Sequence, residues 1–157
     1  MKGAGLVAVV LFAGACADEA PAPPPPGPAL AFPADYAATY TPARECRKSG
    51  DHELDFVRVL TDPAATTPYA DRSTPFPDGA VVLKEQYDVS DTDCAGPVVA
   101  WTVMVKHVAA TDRLGWDWQR VGADRRVLET NGSRCIGCHS GCTGAPAVGY
   151  DFTCEEP

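Results

Sequence analysis

Apolar and polar positions alternate along four stretches of this chain, and a period of two marks a strand with a buried face. Glu53-Leu-Asp-Phe-Val-Arg-Val-Leu60 sets Leu54, Phe56 and Leu60 on one face and Val57 and Val59 on the other. Ala80-Val-Val-Leu-Lys-Glu-Gln-Tyr87 follows the turn signal Pro77-Asp-Gly79. Val98 to His107 is the most β-prone run, with Val99, Trp101, Val103 and Val105 alternating. Trp116-Asp-Trp-Gln-Arg-Val121 is the fourth strand candidate. Pro42–Ser49 is expected to form a short helix, since proline is tolerated in a first turn. Asp62–Pro77, with prolines at 63, 68, 75 and 77, reads as loop. Helical periodicity is scarce elsewhere and no internal repeat is present. The expected fold is mainly β, an antiparallel sheet with a few short helices.

The N-terminus follows a different logic. Lys2 precedes the apolar run Leu6–Phe12, which is too short to span a bilayer as a mature helix. Ala13-Gly-Ala15 is a small-residue cleavage site, and Cys16 comes next. A cysteine just after such a site is the pattern of a bacterial lipoprotein, whose thiol is acylated; Ala13-x-Ala15 also fits ordinary secretory cleavage. Ala20–Pro33 holds seven prolines and no charge. It therefore reads as a polyproline spacer reaching roughly 40 Å if fully extended. The expected organisation is a signal peptide with a lipobox-like end over residues 1–16, a Pro-rich linker over residues 17–34 and a folded domain over residues 35–157. Export would place the domain in the periplasm, anchored to a membrane through Cys16, where disulfides form.

Composition narrows the function classes. The chain has 157 residues and a formal charge of −8, with 13 basic against 21 acidic side chains. The length supports one domain, and the acidic balance argues against a nucleic-acid surface, which needs clustered positive charge. Seven cysteines are many for a chain of this length, and the odd number sets one apart.

Cys135-Ile-Gly-Cys138-His139 is the chemically specific feature, and it lies near the C-terminus. Cys-x-x-Cys-His is the attachment motif of c-type haem: one backbone turn spaces two thiols for thioethers to the two vinyl groups. The adjacent histidine is then able to become the proximal iron ligand. An ordinary disulfide between Cys135 and Cys138, a thioredoxin-like redox pair, or a zinc site completed by Cys142 and Cys154 are the competing readings. The side chains available as a sixth iron ligand are His52, His107 and Met104. Each has a plainer role open to it: core filler for Met104, a surface or hydrogen-bonded side chain for the two histidines.

Four segments in order, Phe76-Pro-Asp-Gly-Ala-Val-Val-Leu-Lys84-Glu85, Trp101-Thr-Val-Met-Val-Lys106, Gly115-Trp-Asp-Trp118 and Cys135-x-x-Cys-His139, together resemble the cytochrome P-460 family. The resemblance implies a mainly β, usually dimeric protein with one covalent haem c, His139 as proximal ligand and an open axial site. In the hydroxylamine-oxidising members a lysine is linked covalently to the porphyrin edge, and Lys84 matches it. Relatives of the cytochrome c-prime-beta type share the fold without the link and bind nitric oxide or carbon monoxide. Lys84 shares a strand face with Ala80 and Val82, so it must be paired, reach solvent or be used in chemistry. Glu85 should point the opposite way, and no distal carboxylate is identifiable.

Cys46, Cys94, Cys142 and Cys154 depart from the family pattern. Of three connectivities, Cys142–Cys154 and Cys46–Cys94 are favoured; the first would tie the tail back near His139. The expected protein is an exported monohaem cytochrome that takes a small nitrogen species and passes electrons to a partner protein. Oxidation of hydroxylamine is one possible activity, and a homodimer is one possible assembly. The alternative is a haem-free, disulfide-stapled surface lipoprotein acting in protein contacts.

Overall fold

The computed structural model describes residues 27–50, 52, 55–143 and 149–154. The expected signal peptide with Cys16, the linker as far as residue 26 and the Leu54 position lie outside the described residues. Six strands form one sheet in sequence order: β1 (Thr41–Lys48), β2 (Phe56–Thr61), β3 (Val81–Tyr87), β4 (Ala100–Lys106), β5 (Trp116–Gly122) and β6 (Val127–Thr130). Every neighbouring pair is antiparallel. A hairpin of β7 (Gly149–Tyr150) and β8 (Thr153–Cys154) makes a separate two-stranded sheet. Three short α-helices, α1 (Tyr36–Thr39), α2 (Pro63–Asp71) and α3 (Ser133–His139), and one 3-10 turn over Thr111–Arg113 complete the described fold. The protein is mainly β and antiparallel, as the alternation implied.

Alternation sorts the side chains into two cores, one on each face of the sheet. Leu60, Val81, Leu83, Trp101, Val103 and Val121 pack under Phe32 and Tyr36 from the N-terminal segment. Val59, Val82, Met104, Trp116 and Trp118 face the other way, where Ala65 of α2, Phe76 and the C-terminal elements cover them. Odd and even positions of β3 thus serve different cores, which is why that strand is buried nearly throughout. The first face is closed by Arg125, whose guanidinium lies 4.6 Å from the Phe32 ring centroid and 5.6 Å from that of Trp101.

Two expectations are corrected. Pro42–Ser49 is not a helix; all but its last residue belongs to β1. This strand is mostly exposed, so no buried face imprints alternation on its sequence. Its pairing to β2 and a disulfide between Cys46 and Cys94 hold it in place. Pro42 is tolerated because β1 is an edge strand whose register shifts between Pro42 and Arg44.

Asp62–Pro77 is not all loop, since it contains α2. The Asp62 side chain accepts from the Ala65 N–H at 2.8 Å, a helix N-cap, and Pro63 occupies the first helical position. Pro68 costs one intrahelical bond, but with Ala65 it forms the buried side of the helix.

Candidate functional site

β6 delivers the chain to the site through a tight turn. Asn131, at φ 52°, donates its N–H to the Trp118 carbonyl at 2.8 Å and accepts the Trp118 N–H on Oδ1 at 2.9 Å. Asparagine tolerates the left-handed region, which makes the turn possible. Gly132 then caps α3, and a Cβ there would lie 2.5 Å from the Glu129 carboxyl group. The result is a two-turn helix laid against β5. Cys135, Cys138 and His139 are spaced i, i+3 and i+4 on it, which brings them to one side.

That side walls a cavity of about 320 Å³ on the second face of the sheet. Val57, Val59, Val82, Met104 and Trp118 give it apolar walls. Lys84 also lines it, set between Val59 of β2 and Thr102 of β4 in the strand register. Glu85 points to the opposite face, as alternation required. There it is buried and accepts from Tyr36 at 2.7 Å, Tyr87 at 2.7 Å and Arg58 at 2.8 Å. Burial and then the Glu85 hydrogen bond push the Tyr36 hydroxyl up to about 12.

The three sixth-ligand candidates separate. His52 and Met104 both line the cavity. His107 does not: its Nδ1 lies 2.8 Å from Asp117, and both side chains are substantially solvent-exposed. Burial pushes the His52 imidazole down to about 3, with Lys84 and His139 acting in the same direction, so it stays neutral near pH 7. Burial also raises the Cys135 thiol, and the Glu129 carboxylate adds to that.

His139 is held by an aromatic ring and by the β7–β8 hairpin. The Trp118 ring centroid lies 4.6 Å from that of its imidazole. Its Nδ1 lies 2.7 Å from the Phe152 carbonyl oxygen. A carbonyl only accepts, so Nδ1 carries a proton, and in the neutral ring the lone pair then lies on Nε2, the tautomer that a metal ligand needs. The Phe152 turn is joined back to the end of α3 by the Cys142–Cys154 disulfide.

The donor set fits haem. Cys135 and Cys138 are not joined to each other, while the other cysteines among the described residues are in disulfides. The zinc reading loses its further ligands, because Cys142 and Cys154 are consumed in one of those bridges. Two available thiols, a histidine oriented by a hydrogen bond at Nδ1 and apolar walls are what a covalently attached porphyrin needs.

Sequence reasoning gave no role to Trp118, Arg47, Arg120 or Arg134, all of which line the cavity. Trp118 carried a usable signal, since alternation puts it on the Trp116 face. The arginines carried none.

A six-stranded antiparallel sheet with a cavity on one face, walled by residues that fit haem, defines the class of the protein as an antiparallel β-sheet protein with a cofactor-sized site. The chain matches the family Cytochrome P460 over residues 33–148 and belongs to it. That is a haem-binding family. No curated protein matches the chain.

Proposed function

We propose that this chain is an exported monohaem c-type cytochrome with an axial site open to a small nitrogen species. One haem c per chain would be held by thioethers to Cys135 and Cys138 and by iron coordination through His139. The observation that carries this reading is the set of two unbridged thiols and a histidine with a bonded Nδ1 on one cavity wall. When bound, haem supplies a redox-active iron that takes hydroxylamine or nitric oxide. The chain's own residues do the rest. Trp118 and the valines offer apolar surface for the macrocycle to pack against. His52, neutral, adds no charge to it. Lys84 is the candidate for covalent linkage to the porphyrin edge.

With the Lys84 link the protein would oxidise hydroxylamine; without it, the same pocket would bind nitric oxide or relay electrons. Cys16 would carry the lipid anchor, and the acidic surface would favour a basic electron-transfer partner. A homodimer is the assembly that fits the family resemblance.

The test is the absorption spectrum of the full chain expressed with export, beside its Lys84→Ala variant. A c-type haem spectrum that changes in the variant supports the linked form. A haem spectrum unchanged by Lys84→Ala leaves the binding or electron-transfer module. Absence of haem absorption overturns the proposal in favour of a disulfide-stapled surface lipoprotein.

A further inference from the structure

Lys106 lies two positions beyond Met104 on the cavity-side face of β4, yet it is not among the cavity's lining residues. Its Nζ donates to both carboxylate oxygens of Asp151, at 3.0 and 2.7 Å, and sits 4.8 Å from the Trp116 ring centroid. The side chain is only 10% exposed, so this is a largely desolvated pair. Trp116 adds a second tie, because its Nε1 donates to the Asp151 carbonyl at 2.9 Å. Two strands of the main sheet thus grip a single residue by its side chain and its backbone.

Asp151 and Phe152 form the turn of the β7–β8 hairpin, at φ 46° and 65°. Both central residues at positive φ is the pattern that asparagine and glycine favour. A phenylalanine has no preference for it, so the surroundings hold the turn in shape. The Phe152 N–H donates to the Cys142 carbonyl at 2.9 Å, and the carbonyl of the same residue accepts from His139 Nδ1.

We infer that Lys106 is a positioning residue for His139. Through Asp151 it fixes the Phe152 carbonyl against Nδ1 and so sets how strongly Nε2 donates to an iron. The inference rests on the haem reading above. A firm acceptor at Nδ1 raises the electron density on Nε2 and favours ferric over ferrous iron; a loosened one lets the reduction potential rise.

The test uses the exported, haem-loaded full chain and its Lys106→Met, Asp151→Asn and Lys106→Arg variants. Lys106→Met and Asp151→Asn should each raise the haem reduction potential by about a tenfold change in the ferrous-to-ferric ratio, or about 59 mV for one electron. Lys106→Arg, which keeps the ion pair, should stay near the parent. Haem-loaded Asp151→Asn with the parent potential overturns the inference, even if Lys106→Met fails to fold. A second measurement is independent of haem: nitrogen NMR of His139 in full-length Cys135→Ser/Cys138→Ser protein. It should show an Nδ1–H tautomer that is lost when Asp151→Asn is added; a tautomer unmoved by that change also overturns the inference. If the parent chain takes no haem, the haem reading fails and this tautomer alone decides the role of Lys106.

Discussion

Lys84 and Glu85 are neighbours in β3 and serve opposite sides of the sheet. Lys84 lines the cavity beside the Cys135–His139 helix, while Glu85 is buried among Tyr36, Arg58 and Tyr87. The pleat therefore separates a residue at the cavity from one in a buried polar cluster, and the two should respond differently to substitution.

Glu85→Ala removes the acceptor shared by two tyrosine hydroxyls and a guanidinium. The expected loss is about 1–3 kcal/mol of unfolding free energy, because buried donors are left without a partner. Urea unfolding measures this, and haem content should be unchanged. Lys84→Ala should do the reverse, altering the spectrum with little effect on stability. A Glu85→Ala protein as stable as the parent would contradict the structural role.

Asp62 joins two elements, since Oδ1 accepts from Ala65 at the start of α2 at 2.8 Å and from Val81 at the start of β3 at 3.1 Å. Asp62→Ala should cost about 0.5–2 kcal/mol, the range of a lost N-cap. Asp62→Asn, which keeps an acceptor oxygen, should recover most of it in the same urea titration.

The sequence separations of the two disulfides are 48 for Cys46–Cys94 and 12 for Cys142–Cys154. Loop-closure entropy then assigns about 4 kcal/mol to the first and about 3 to the second. Replacing each pair by alanines should destabilise the protein in that order in thermal unfolding. Only loss of Cys142–Cys154 should also disturb the haem spectrum, because that bridge borders the His139 acceptor.

His52 carries a pH dependence. Its folded-state pKa, about 3, lies below the ordinary 6.5, so on acidification the unfolded chain takes up the proton first. The stability tied to this group is complete above pH 6.5 and is lost as pH falls from there toward about 3. His52→Asn should lose less unfolding free energy than the parent across that window. Equal losses in both proteins would show that His52 titrates normally.

What the sequence made legible follows from where order is local. β3 and β4 could be read because each alternates between two buried faces, so that Leu83 and Val82, or Val103 and Met104, belong to different cores. β1 and β6 are mostly exposed edge strands, and no burial pattern marks them. In α2, Asp62-Pro63 was a sound start signal that Pro68 and the prolines beyond it outweighed. At the site, Cys135, Cys138 and His139 form one contiguous motif and could be read directly. Lys106 and Asp151 are 45 residues apart, and the group that meets His139 Nδ1 is a backbone carbonyl, which no residue type announces.

The central claim is that Cys135 and Cys138 carry haem covalently, and intact-mass measurement of the exported full chain tests it most directly. The account predicts a denatured parent that stays heavier by one haem than Cys135→Ser/Cys138→Ser exported in the same way, once the two substitutions are allowed for. A denatured parent without that mass difference would contradict it.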